Sequence, residues 1–576
     1  MKSEIQKICE VHDDDSGKDN MESETRNRCE VQQDDDLGKD IISELPDELL
    51  HHILSCLPTK DIVRTSAFST RWRWLWTFFT IVSVDFGAED EDENDSASFL
   101  DLIQNKLLIP DTARIRKFRI HLHKYSHFYT YPNILFSISL VYKALKHQVE
   151  ELELSFPHLW RCNMLSLPHT LFTSESLTSL KLHMSHAASV NPYPTSICFP
   201  RLKTLHLICI KFLDARFAEL LFSGCLVLEE LLLDNCYWNT TYGITIAIAT
   251  LQRLAIYHYY SSSNNSLKIR CPNLQFLNFW SCSFFNLVLH LPSLIKAHVE
   301  IMPRGNLYQQ IRLARSTLNL LERTRSVKSL RLSSETLKTI SCAENVLADD
   351  LPTFHNLTRL KLIGGDCDLS AAALLHILHK SPKLQSIVFP HAVSVDEHLL
   401  FLEPLVLTRG VHGDRLRGRS RSGIIFDDHS TQSLLSACPV LKELYLDNCD
   451  WSKRTEITIS ISTLLALTII FFDDNPPDIS IRICTPNLLK FYSTSSLQVE
   501  LITCDLSLVI RAEIDVFGWL SYDQRFRVQA AHRTLKLVER IRGVKFLELS
   551  YETFQAISFA ENFQANHLPT FYNLTD

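Results

Sequence analysis

Three segments, LTSLKL at residues 177–182, LKTLHL at 202–207 and LEELLL at 228–233, decide how this chain folds. Each fits the template L-x-x-L-x-L. Successive side chains of a strand point to opposite faces, so the paired leucines of L-x-L share one face and the residues between them share the other. Working outward, the template returns as LQFLNF at 274–279, LTRLKL at 357–362 and LKELYL at 441–446. From Leu180 to Leu205 is 25 residues and from Leu205 to Leu231 is 26, and Leu254 and Leu277 continue at 23 each. A period of about 20–29 residues on this template is that of leucine-rich repeats. The predicted fold is α/β: an irregular solenoid with parallel strands on its concave face and the leucines stacked into one core. Longer intervals, such as Ala297 to Leu330, predict irregular repeats.

A larger duplication overlies the repeats. Leu221–Trp238 (LFSGCLVLEELLLDNCYW) returns 213 residues on as Leu434–Trp451 (LLSACPVLKELYLDNCDW), and Leu351–Thr358 (LPTFHNLT) returns 217 on as Leu568–Thr575 (LPTFYNLT). Repeats over 99–390 are therefore followed by a second copy over 425–576. The first copy continues into Arg359-Leu360-Lys361-Leu362 where the second meets Asp576, so the second is expected to be truncated. Between them, Arg409–Arg421 sets five arginines among Gly and Ser. It reads as a linker, 391–424, ahead of a nuclear-localisation or phosphate-binding patch.

A chain of 576 residues with 45% hydrophobic and 22% charged residues has soluble, globular composition and more than one structural unit. Its net charge of -8 and pI near 6.3 disfavour a nucleic-acid partner. Met1–Glu10 lacks a secretory apolar core, and the longest apolar run, near Thr463–Phe472, is too short to span a bilayer. The expectation is a protein of the cytoplasm, the nucleus or both, without a membrane partner. Sixteen cysteines with no C-x-x-C pair predict reduced, buried thiols. Cys236, Cys282 and Cys449 share one template position and are expected to fill the turn after the strand. No Gly-rich phosphate loop, G-x-S-x-G or H-E-x-x-H occurs, so no catalytic residue, metal site or cofactor is expected.

Residues 1–39 are acidic and repeat a small pattern, Cys9-Glu10-Val11 then Asp13-Asp14-Asp15, and Cys29-Glu30-Val31 then Asp34-Asp35-Asp36. Such a segment reads as a disordered tail. From Asp40 the texture becomes helical. Pro46 suits a first turn, Asp47 and Glu48 complement the helix dipole, and Leu49, Leu50, Ile53, Leu54 and Leu57 recur until Pro58. Thr59 is placed to cap a second helix with Ile62 and Val63, and Ser69 a third with Trp72, Leu75 and Trp76. Trp72, Trp74 and Trp76 give so small a unit more apolar surface than it buries alone, so it packs on the first repeats or on a partner. An acidic linker, 87–98, follows.

The Leu45-Pro46 start, the Leu57-Pro58-Thr59-Lys60-Asp61 turn and the Arg71-Trp72-Arg73-x-Leu75-Trp76 end resemble, over residues 40–86, the F-box of plant F-box/leucine-rich-repeat proteins. The repeats to about Pro390 resemble that family more loosely. Ala67-Phe68 and Thr70 depart from its usual aliphatic pair and Lys, and no FBD module is recognisable after Pro390. The resemblance implies a three-helix F-box ahead of the solenoid. It also implies binding of the Skp adaptor, and through it of cullin and RING subunits. The adaptor contacts carried over are Leu45, Pro46, Ile53, Leu57, Val63, Trp72, Leu75 and Trp76. The implied function is that of a non-catalytic receptor subunit of a ubiquitin ligase, holding an unknown protein target on the solvent-facing strand positions. Those positions include Lys181, His183, His206, Glu230, Asp234, Phe276, Asn278, Trp280, Arg359 and Lys361. A leucine-rich scaffold whose F-box has decayed, a chimeric product, and an F-box protein that delivers no target stay open as alternatives.

Overall fold

The leucine pairs form parallel strands, seen in a computed structural model. It describes residues 45–57, 59–65, 71–72, 81–86, 115–122, 131–157, 164–165, 167–184, 189–190, 196–212, 215–238, 243–259, 266–283, 285–341, 351–363, 371–389, 437–447, 449, 456–471, 479–496, 499–503, 506–517, 524–564 and 570–575. The expected tail 1–39, the linker 87–98 and the junction 391–424 lie outside the described residues. Two compact units are present, Met1–Cys56 and Leu57–Asp576.

In the second unit, seventeen described strands make one parallel sheet in chain order. They are β1 (Ile81–Phe86), β2 (Lys117–Leu122), β3 (Glu151–Ser155), β4 (Ser179–His183), β5 (Thr204–Ile208), β6 (Glu230–Asp234), β7 (Arg253–His258), β8 (Phe276–Ser281) and β9 (Lys296–Ile301). The remainder are β10 (Ser329–Ser333), β11 (Arg359–Ile363), β12 (Ser386–Phe389), β13 (Glu443–Asp447), β14 (Ala466–Ile470), β15 (Lys490–Ser496), β16 (Arg511–Phe517) and β17 (Phe546–Leu549).

Register follows the leucines. Leu180, Leu205, Leu231, Leu254 and Leu277 stand on one line, and Leu182, Leu207, Leu233, Ile256 and Phe279 on the next. All ten are buried, at about 2 kcal/mol for each side chain removed from water. Entry into each strand repeats as well. Lys203 and Thr204 both donate their amides to the Thr178 carbonyl, and Glu229 and Glu230 both donate to that of Lys203. Each repeat thus sets the height of the next. At the strand exits, Asn235 adopts a φ of 54°, a left-handed turn that Asn tolerates, and donates its amide to the Tyr257 carbonyl. The next residue, Cys236, donates its thiol to the Leu207 carbonyl at 3.2 Å, and burial holds that thiol far above its ordinary pKa.

The long interval from Ala297 to Leu330 holds a helix, Leu307–Arg323, begun by a capping box in which the Asn306 side chain accepts from the Gln309 amide and Gln309 returns the bond. Two three-stranded parallel sheets form elsewhere in the returns: Ile244–Ile246, Ser266–Arg270 and Asn286–His290, and again Glu456–Ser460, Ile479–Cys484 and Val499–Thr503. The duplication therefore extends well beyond the two segments that betray it in sequence.

One boundary differs from expectation. Ile81–Phe86, assigned to the F-box, is the first strand of the sheet, paired with β2 from Ile81↔Lys117 onward. Its alternation explains this, because Val82 and Val84 are buried while Ile81 is exposed. At the other junction, β12 pairs directly with β13, Ser386↔Glu443 to Phe389↔Leu446, so the second copy extends the sheet of the first.

Candidate functional site

Two surfaces carry the residues singled out from sequence. In the first unit, the helix Asp47–Ser55 starts at Pro46, whose carbonyl accepts from the amides of Leu49 and Leu50. Asp47 and Glu48 stand in its first turn, against the positive end of the dipole. Leu50 and Leu54 are fully buried. Leu49 and Ile53, one turn apart, are 51% and 41% exposed, and Pro46 beside them is exposed too. Leu49 and Ile53 thus give this helix an exposed apolar stripe.

In the second unit, Leu57 is 39% exposed. The helix Thr59–Thr65 buries Ile62, and Thr59 is its first residue and not its cap. The Thr59 hydroxyl accepts instead from the Ser83 amide at 2.9 Å, tying the helix to β1. Arg71 and Trp72 are helical, and Trp72 is buried, 4% exposed.

The second surface is the open face of the sheet, where three rows run across the strands. Glu230, Arg253, Phe276 and Lys296 stand at the amino ends, and His206, Leu232, Ala255, Asn278 and His298 in the middle. Asp234, Tyr257, Trp280 and Glu300 stand at the carboxyl ends. Glu230 is held from both sides. His206 Nε2 lies 2.8 Å from Oε1, and Arg253 donates to Oε2 from Nε and Nη2 at 3.0 and 2.6 Å. Burial opposes ionisation of this carboxyl, yet the hydrogen bonds of His206 and Arg253 outweigh it and hold its pKa below the ordinary value. Asn278 donates to the Tyr257 hydroxyl at 2.8 Å. Tyr259 and Trp280 face each other with ring centroids 4.3 Å apart, packed on the buried Leu232, Ala255 and Tyr257. Phe276 meets His298 edge-on at 4.7 Å.

The F-box domain profile matches residues 42–77, and a profile for the LRR repeats of the FBD-associated F-box protein At5g56370 matches residues 140–316. The F-box/LRR-repeat protein At3g59210 of Arabidopsis thaliana is 30% identical over 379 residues, 62% of this chain and 74% of the relative. The chain belongs to the F-box/LRR-repeat family. FBD-associated F-box protein At5g56370 is likewise 30% identical over 353 residues, covering 60% of this chain and 74% of that relative, and F-box/LRR-repeat protein At4g14096 is 29% identical over 365 residues, covering 61% and 73%. Both are from Arabidopsis thaliana.

Within this F-box/LRR-repeat protein, the residues expected to meet an adaptor divide. Ile53 and Leu57 are exposed, Pro46 is exposed and Leu45 is half-buried. Trp72 is not available to a partner. An indole is the largest apolar group the module can remove from water, and its burial stabilises the chain itself. The side chain of Val63, with Leu75 and Trp76, lies outside the described residues. Leu49, the most exposed apolar residue of the first helix, is absent from the expected contacts, although its spacing of four from Ile53 marks the stripe.

On the sheet, all ten expected target residues fall on the open face, but not all are accessible. His206, Asp234 and Asn278 are buried, and His206 and Glu230 are engaged with each other. Lys181, His183, Phe276, Trp280, Arg359 and Lys361 retain accessible surface. Sequence reasoning missed Arg253, Tyr257, Tyr259 and Glu300. The signal was present, because Leu254 and Ile256 fix which residues of β7 face outward. Among the described residues, no group of three or more His, Cys, Asp and Glu is placed to hold a metal ion.

Proposed function

We propose that this protein is a substrate-recognition subunit of a Skp–cullin–F-box ubiquitin ligase. Its F-box and leucine-rich repeats suggest a substrate-adaptor role, and the finer reading rests chiefly on one observation. Within the F-box match, Leu49 and Ile53 stay exposed on a helix beside the fully buried Leu50 and Leu54. An exposed apolar stripe on so short a helix costs solubility, and a protein partner is what offsets it. The Skp adaptor takes this face, cullin and RING subunits follow through the adaptor, and the open face of the sheet holds a target protein. No covalent chemistry is assigned to the chain. Tethering a target beside a ubiquitin-charged enzyme raises the effective concentration of its lysines, and that is the whole mechanism. None of the described cysteines is joined in a disulfide, which supports a cytoplasmic or nuclear setting.

The test is capture of a purified Skp adaptor by the full chain. Leu49→Glu with Ile53→Glu is expected to weaken capture at least about 100-fold, the loss of two central apolar anchors, while unfolding midpoints stay near wild type because both side chains are exposed. Equal capture by wild type and the double variant, or none by wild type, would end this reading.

A further inference from the structure

Charge is zoned across the open face. At the amino ends of the strands stand Arg253, Lys296 and Arg359, with Glu230 paired to Arg253, and in the middle row His298, Arg331 and Lys361. At the carboxyl ends the order from β6 to β9 is Asp234, Tyr257, Trp280, Glu300, with no cation among them. Tyr259, one residue past β7, lays its ring against Trp280. Beneath these rings, Leu232 and Ala255 are buried on a face that elsewhere carries polar groups, and Asn278 fixes Tyr257 by its hydroxyl. Of this group Tyr259, Trp280 and Glu300 keep accessible surface, while Asp234 and Tyr257 are buried beside them. Arg304, in the exposed turn after β9, acts electrostatically on Cys282.

Packing of the repeat does not require these rings, and the duplication shows it. In the second copy the core rows continue as Leu467 and Ile469, both fully buried, and the acids persist as Asp447 and Asp515. At the places of Tyr257 and Trp280 stand Ile470 and Thr494. The same strand stack forms without Tyr257 and Trp280, so this pair is not needed for packing.

We infer that the carboxyl-end rim of β6–β9 grips a cationic side chain, arginine or lysine, presented by a polypeptide. This names the chemistry of the target surface assigned under the proposed function and rests on that reading. The ring face of an indole or phenol is electron-rich and attracts a cation within about 6 Å, most strongly where water is excluded. A guanidinium also stacks flat on an aromatic ring while leaving its edge donors for carboxylates, which suits Trp280 with Glu300 beside it. An acidic segment would instead bring like charge against Glu300.

The experiment pans a display library of random 12-residue peptides on the immobilised full chain and reads residue frequencies against the unselected library. Arginine plus lysine is expected to rise at least fivefold at one peptide position on wild type. That rise should vanish on Trp280→Ala and fall by half or more on Glu300→Gln, a near-isosteric change on a partly exposed side chain, whereas Lys361→Ala should leave it intact. Selection of acidic or uncharged peptides, the same basic selection on Trp280→Ala and Glu300→Gln, or no selection would overturn the inference. Adaptor capture, measured on the same preparations, separates its failure from that of the receptor reading. A chain that captures the adaptor yet selects no basic peptide remains a receptor without this grip.

Discussion

His258 shows how a single side chain follows from its place in the stack. It ends β7, is 7% exposed, and its Nδ1 lies 2.9 Å from the Ser283 hydroxyl of the next repeat. Burial opposes its protonation and lowers its pKa to about 4 from an ordinary 6.5. In the folded state it is therefore neutral where the unfolded chain's imidazole would already be charged. The stability it confers is fully present above pH 6.5 and is lost as pH falls toward 4, at most ~3 kcal/mol in all. Urea unfolding at pH 7.5 and pH 5.0 should show wild type losing more stability than His258→Asn by about 1–2 kcal/mol, and parallel losses would refute it. Sequence shows a histidine after a leucine-rich strand. Its protonation follows from burial by what packs over it, contacts made between repeats and hence invisible to local pattern.

Among elements, the helices that fill the long intervals are joined to the sheet by a recurring threonine. Thr336, in the helix Ser334–Ser341, accepts from the Ile301 amide at 2.8 Å and meets the Ser333 hydroxyl at 2.8 Å. Thr553, in the helix Tyr551–Gln564, does the same with Val516 at 2.7 Å and Ser550 at 2.8 Å. Both threonines are fully buried. Replacing either with Val keeps the shape but strands a buried amide, at about 1–3 kcal/mol. Chemical denaturation of Thr336→Val and of Thr553→Val should each register that loss. Ser316→Ala, on a half-buried helix face where the hydroxyl bonds only within its own helix, serves as the comparison and should change stability little. The leucine template reads through these regions poorly, since the bond that docks each helix joins residues 35 and 37 apart in sequence.

For the molecule as a whole, the duplication builds one sheet. Because β12 pairs with β13, stability in a repeat array is shared with neighbours and decays with distance. Leu444, 2% exposed in β13, is a place to test it. Leu444→Ala should cost about 2–4 kcal/mol locally. Hydrogen exchange should then quicken in Ser386–Phe389 of the first copy and Ala466–Ile470 of the second, while Ser179–His183 is unchanged. A response confined to the second copy would mean that the junction carries no coupling. The alternation of leucines by itself determined the strands, their facing and their period, because burying one side of a strand admits only one register. The resemblance at Leu45–Trp76 likewise identified the F-box. What only the tertiary structure decided is which outward residues remain accessible: it sealed His206, Asp234 and Trp72, left Leu49 and Ile53 bare, and brought Tyr259 onto Trp280. Exposure is set by whatever packs alongside, and in a solenoid that neighbour comes from the repeat before or after, more than twenty residues away in the chain.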